Sequence, residues 1–178
     1  DKTTYFASIG YLNETGYIIK SDYERLTSRL NIDSQVKDWL KVGINLSAAS
    51  SFGNNAVDGA SNNSSYINPF SWTRSMGQIY SPYAHDANGN TLYDSDGQKV
   101  FDLTSIRGAD AASGRHIIQE TILNKDFSKT FLANSRTYAE FKLAKGLTAT
   151  MNVAYDIRNF KNSTYTNKII GDAAPAGA

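Results

Sequence analysis

Between Asp22 and Val36 the chain alternates with a period of two: Leu26, Leu30, Ile32 and Val36 occupy even positions, and Tyr23, Arg25, Thr27, Arg29, Asn31, Asp33 and Gln35 the odd ones. Successive strand residues point to opposite sides of a sheet, so this run predicts a β-strand with one apolar and one polar face. The scheme repeats at once, with Leu40, Val42, Ile44, Leu46 and Ala48 against Lys41, Gly43, Asn45 and Ser47. Only Lys37-Asp38-Trp39 separates the two runs, which predicts a tight hairpin.

A second pair lies near the C-terminal end. Phe131, Ala133, Ala139, Phe141 and Leu143 oppose Asn134, Arg136, Tyr138, Glu140 and Lys142; after Ala144-Lys145-Gly146 come Leu147, Ala149, Met151, Val153, Tyr155 and Ile157 against Thr148, Thr150, Asn152, Asp156 and Arg158. The first run, Thr4 to Asn13, is less regular: Tyr5, Ala7, Ile9 and Tyr11 form its apolar side, and Asn13-Glu14-Thr15-Gly16 reads as the turn after it. The expected strands thus cover about 4–13, 22–36, 40–49, 130–143 and 147–161.

The connections between these strands are unequal. The breaks at 37–39 and 144–146 are short and fall at one end of the sheet, while those at 13–21 and 50–129 fall at the other. Short turns on one side and long loops on the other are the arrangement of an outer-membrane β-barrel. The 50–129 insertion is too long for a structureless loop. Its Gly-, Asn- and Ser-rich start, Ser51 to Ser65, predicts a mobile stretch, and Asn88-Gly89 and Asp96-Gly97 around Thr91-Leu92-Tyr93 predict small hairpins. The 3.6-like spacing of Gly114 to Leu123 predicts a short helix. The residues from Asn162 to Ala178 are expected to enter another long-loop connection.

Composition narrows the class without deciding it. The chain has 178 residues, 40% hydrophobic and 20% charged, and a formal net charge of +1, values that argue against disorder and against a nucleic-acid partner bound through a strong basic field. No apolar run reaches the roughly 18 to 20 residues of a membrane-spanning helix. Barrel strands need only about 10 alternating residues, so the mean hydropathy of −0.42 suits a barrel as well as a soluble domain. The absence of cysteine removes disulfides, zinc-thiolate sites and thiol nucleophiles. The N-terminal Asp1-Lys2-Thr3-Thr4 enters a strand directly, so any export signal is expected to lie upstream or to have been removed.

Little in the chain suggests catalysis. His85 and His116 are the two histidines, and no nucleophile elbow, phosphate loop or metal-spaced histidine pair occurs, so no enzyme, metal or cofactor is expected. Asp86, Asn88, Asn90, Asp94 and Asp96 place oxygens at alternate positions, but an EF-hand starting at Asp86 needs glycine where Thr91 stands and glutamate where Gly97 stands. Turn chemistry accounts for them better.

The wording of the strands carries more than their period. Tyr5 to Ile19 followed by Ser21-Asp22-Tyr23-Glu24-Arg25, then Arg29 to Leu46, Asn68-Pro69-Phe70-Ser71-Trp72-Thr73-Arg74-Ser75-Met76, His85 to Asn90 and Arg136 to Phe141 resemble, in order and spacing, a stretch of the SusC/RagA-type TonB-dependent importers. The resemblance covers nearly the whole chain. It implies an all-β fold, a segment of a transmembrane barrel of about 22 strands. Five strands cannot close such a wall, so the plug, the TonB-contacting segment and the other strands are expected to lie outside this sequence. It further implies import of glycan oligomers or peptides, with a SusD-type surface lipoprotein and the TonB complex as partners, in the outer membrane of a Gram-negative, Bacteroidetes-type bacterium.

Parity then selects candidates. Arg25, Arg29, Asp33, Arg136, Glu140, Asp156 and Arg158 share the polar face and are expected to line the lumen, where they contact substrate or hold the plug by salt bridges, against the plainer reading of a solvated lining. Trp72, Tyr80 and Tyr83 in the insertion present flat faces suited to a sugar or a lid, or to an internal loop core. Tyr11, Trp39 and Tyr155 suit aromatic girdles against lipid. A soluble β-sandwich adhesin or carbohydrate-binding module would use the same alternation, and would seal Leu30 and Ile44 inside; a passive porin would share every strand.

Overall fold

A computed structural model of the chain describes residues 2–55, 72–73, 76–103 and 115–171. Among the described residues five strands dominate: β1 (Thr3–Thr15), β2 (Asp22–Lys37), β3 (Leu40–Asn54), β4 (Lys125–Ala144) and β5 (Leu147–Tyr165), with a short helix, α1 (Ile117–Leu123). They form one sheet in the order β1-β2-β3-β4-β5. β1 pairs antiparallel with β2, and each later strand follows its predecessor as its neighbour.

The register verifies the assignment of faces. Tyr5, Ala7, Ile9 and Tyr11 stand opposite Ile32, Leu30, Ser28 and Leu26, while Thr4, Ser8, Gly10 and Leu12 stand opposite Asp33, Arg29, Thr27 and Arg25. Because directly opposed residues share a face, the less regular β1 takes its parity from β2. Phe6 and Leu12 therefore lie on the polar face, opposite Asn31 and Arg25. On β3 to β5, Leu46, Ala48, Ala133, Tyr155 and Ile157 gather with Leu30 around one shallow depression on the apolar face.

No second sheet covers that face among the described residues. Leu30 and Ile44 are half-exposed, and Tyr5, Ile9, Tyr11, Met151, Val153 and Tyr155 are exposed. A sandwich would have sealed them. The sheet is open and antiparallel, as expected for a piece of a barrel wall.

Strand ends differ from the sequence expectations in an instructive way. β3 continues to Asn54 and β4 begins at Lys125, shortening the insertion from both sides. Ser50 to Asn54 reads as loop by composition, but backbone pairing overrides that: Asn55 N–H donates to the Asp126 carbonyl at 2.8 Å, and Lys129 lies 5.7 Å over the Phe52 ring. Of the stretch expected to be mobile, 51–54 is strand and 56–65 lies outside the described residues. β1 runs to Thr15, so the turn falls later, over Gly16–Ser21, where Lys20 takes φ 59° and Gly16 N–H donates to the Ser21 carbonyl at 2.5 Å. β5 runs on to Tyr165. The Asp38-Trp39 and Lys145-Gly146 turns remain tight, and Gly146 supplies the positive φ of 81° in the second.

Gly16–Ser21, Asn54–Phe127 and the segment from Ser163 form a second compact unit. Within it, Asn88-Gly89 and Asp96-Gly97 turn two small hairpins, bridged at His85 and Thr91 and at Tyr93 and Lys99. Asp86 Oδ1 accepts from the N–H groups of Asn88 and Asn90 at 2.8 Å each, and Asp94 does the same for Asp96 and Gln98. These are Asx turns, and they explain the alternate oxygens without a cation. The hydrogen bonds from the Asn90 amide and backbone, with those of Asn88 and Gly89, hold the Asp86 carboxyl below its ordinary range.

α1 organises the rest of the unit. His116 caps it, with Nδ1 accepting from Gln119 N–H at 3.4 Å and Nε2 at 2.8 Å from the Pro82 carbonyl. Since a carbonyl only accepts, this geometry places the proton on Nε2. Glu120, 1% exposed, takes both Arg115 Nε and Nη2 at 2.8 Å. Buried Asn124 accepts from both nitrogens of Asn167, at 2.8 and 2.6 Å, pinning the segment after β5. Lys20 Nζ donates to the Ile122 and Asn124 carbonyls, and partial burial with Lys125 nearby lowers its pKa.

Candidate functional site

The polar face of the sheet brings most of the expected site residues onto one surface. Arg25, Arg29 and Asp33 are odd positions of β2, opposite Leu12, Ser8 and Thr4 of β1. Tyr138 of β4 donates its hydroxyl to Asp33 Oδ1, which fixes the even residues of β4, including Arg136 and Glu140, on the same face. Asn134 Nδ2 donates to Asp156 Oδ1 at 2.5 Å, which does the same for Asp156 and Arg158 of β5.

Two grooves open on this face. One of about 640 Å³ is lined by Ser8, Gly10, Thr27 and Ser47 with Arg25 and Arg29; small residues leave the space there. The other, of about 500 Å³, adjoins it through Arg29, Ser47 and Asn134 and ends at Arg136. Thr27 Oγ1 donates to the Gly10 carbonyl at 3.3 Å, tying the floor of the first groove across β1 and β2. Arg158 and Glu140 share the face but line neither groove.

A second cluster sits on the same face nearer the short turns. The Tyr138 ring crosses Gly43, where a Cβ would collide with the ring and come 2.7 Å from Asp33 Oδ1. Lys41 Nζ lies 5.7 Å over the same ring. Buried Gly43 is thus the space that lets Tyr138 reach Asp33 across β3. An internal glycine in a strand was the available sign of a close approach, and sequence reasoning passed over it.

The insertion aromatics behave differently. The Trp72 ring lies 6.4 Å from that of His116, Tyr83 stacks on Phe101 at 5.6 Å, and Phe101 reaches His116 at 4.7 Å. Tyr80 closes a local turn by donating its N–H to the Gly77 carbonyl at 3.1 Å. All three expected residues are half-buried, and two of them join one ring cluster around the α1 cap. Of the Asn68 to Met76 motif, only Trp72, Thr73 and Met76 are described.

Solved structures resemble this arrangement. A chain of the RagAB peptide importer in its closed-closed state superposes on 92% of this chain with a TM-score of 0.61 and 26% identity; a chain of the RagAB peptide transporter gives 92%, 0.59 and 25%. This chain spans 17% of the length of each. No family model matches it, and neither does any curated protein. The likeness supports a RagA-like fragment, and the neighbours are transport proteins rather than enzymes.

Trp39, Tyr11 and Tyr155 are exposed, at opposite ends of the apolar face: Trp39 in the short turn, stacked 6.4 Å from Phe141, and the tyrosines toward the long connections. No helix among the described residues is long and apolar enough to cross a membrane, which has no bearing on crossing by strands.

Proposed function

We propose that this chain is a segment of the wall, with its extracellular insertion, of an outer-membrane importer that takes up peptides under TonB control. The match to RagAB importer chains over 92% of the sequence carries the reading. Peptide cargo follows those neighbours' descriptions, whereas glycan oligomers have only the strand-wording resemblance behind them. A SusD-type lipoprotein lid and the TonB complex belong to the same reading, the latter acting through parts of the parent outside this segment.

The dimensions of the apolar face agree with it. On β5 the outward residues are apolar from Leu147 to Ile157 and give way to Asn159 and Lys161. Ten steps of about 3.3 Å make roughly 33 Å along the strand. A tilt near 45° turns that into about 23 Å of membrane depth, close to the hydrocarbon band of a barrel. Under this reading Arg25, Arg29, Asp33, Arg136, Glu140, Asp156 and Arg158 face the lumen, and Trp72, Tyr80 and Tyr83 of the insertion are candidates for contact with cargo or lid.

Two measurements on the full-length parent test this. It is expected to fractionate with the outer membrane and to need detergent for extraction, and cells lacking it should lose uptake of labelled oligopeptides. A parent soluble without detergent would remove the barrel; unchanged peptide uptake in the deletion strain would remove the cargo assignment.

A further inference from the structure

We infer that the paired grooves on the polar face form a carboxylate-binding trough, in which Arg25, Arg29 and Arg136 receive the C-terminal carboxylate of a peptide cargo. The inference rests on the peptide-import reading and adds the chemical group that the wall recognises.

The charge balance of the face supplies the first reason. Asp33 accepts from Tyr138, Asp156 accepts from Asn134, and neither groove is lined by an acid. The three arginines have no hydrogen bond or ion pair among the described residues. A guanidinium stays charged at any working pH and offers five donors in a planar fork matched to a carboxylate. Three such forks facing one trough that no acid lines make a site for an anion.

Shape supplies the second. Arg25 and Arg29 are four strand residues apart, about 13 Å along β2, and their long side chains bracket the space between. That space is kept open by Gly10, Ser8, Thr27 and Ser47, none of which fills it. The adjoining groove leads to Arg136, so an anion leaving Arg29 meets another guanidinium without crossing an acid. Every linear peptide with a free terminus carries this carboxylate whatever its sequence, which suits a carrier of varied peptides.

The test uses the purified full-length parent in detergent and two fluorescent peptides of one neutral sequence, one with a free C-terminal carboxylate and one amidated. The parent should bind the free acid about tenfold more tightly, the scale of a charge-assisted hydrogen bond. The double variant Arg25→Gln/Arg29→Gln should bring the free acid's affinity down toward that of the amide, with Arg136→Gln acting in the same direction. Raising salt should compress the ratio in the unaltered parent, a readout that needs no variant. An unaltered parent that binds both peptides equally overturns the inference while leaving peptide import standing. So does a double variant that keeps the parental ratio, or one that weakens both peptides alike, the result expected if the arginines hold another segment of the transporter. A parent that binds neither peptide removes the peptide reading itself.

Discussion

The sheet and the insertion are stabilised in opposite ways. In the sheet most of the large apolar side chains stay exposed on one face and most of the charged ones on the other, and the continuous backbone ladder is what the strands share. In the insertion unit, the buried side chains include His116, Ile117, Glu120, Thr121, Asn124, Asn167 and Ile170, most of them polar and hydrogen-bonded to one another or to backbone. A surface that leaves Tyr5, Ile9 and Tyr155 uncovered depends on its surroundings for an apolar contact. A unit that satisfies Glu120 and Asn124 internally carries its own order.

That contrast can be broken most severely at Glu120. Glu120→Ala would leave Arg115 without its carboxylate and His116 without the backbone cap that Glu120 supplies, costing the insertion about 3 to 5 kcal/mol. Hydrogen exchange on the full-length protein should show the amides of α1 and of 163–171 losing protection while those of β1 and β2 keep theirs. Equal loss in both would mean that the two regions are not stabilised separately.

Ile44→Lys probes the sheet alone. With the outer face of β3 against lipid, the charge should cost about 2 to 4 kcal/mol in the assembled barrel, read from urea unfolding in vesicles. A change of only a few tenths there would count against lipid contact.

Gly43→Ala sharpens the polar face. The new methyl meets the Tyr138 ring, so the ring must leave Asp33, at a cost of about 1 to 3 kcal/mol. Tyr138→Phe should reproduce the loss of the Asp33 hydrogen bond without the steric part. If both variants melted with the unaltered protein, the Tyr138–Asp33 contact would have no structural weight.

The smallest effect is expected at Asp86. Its folded pKa lies below the ordinary carboxylate value, so the turn gains stability that is fully present above about pH 4 and fades as pH falls through the folded pKa. Amide shifts of Asn88 and Asn90 followed by NMR through that acid range should move together. Asp86→Asn should remove the acid dependence and leave the sheet unaffected.

Much of the sheet was legible in the sequence because a period of two leaves no freedom once one face is apolar: shifting β2 by one residue would exchange Leu30 for Arg29. The polar candidates on β2, β4 and β5 followed from the same parity. What parity cannot express is spacing between strands, and so the approach of Tyr138 to Asp33 over Gly43 and the gathering of Arg25, Arg29 and Arg136 around open grooves were not foreseen. Strand ends escaped for a related reason. Ser50 to Asn54 carry turn-forming residues, and the partner that keeps them extended enters the chain some 70 residues later, at Asp126 to Lys129.

The insertion divides the same way. Its hairpin turns were visible because Asn-Gly and Asp-Gly impose positive φ locally, as Gly89 and Gly97 show with φ 85° and 75°. The role of His116, one of two histidines in the sequence, was not visible, since its cap, its bond to Pro82 and its ring contacts with Phe101 and Trp72 join segments distant along the chain. The sequence by itself determined which side chains share a face and where the chain must turn, because those are consequences of local backbone geometry. Only the tertiary structure decided which polar groups are satisfied and which arginines line open grooves, because that depends on partners brought together from separate strands.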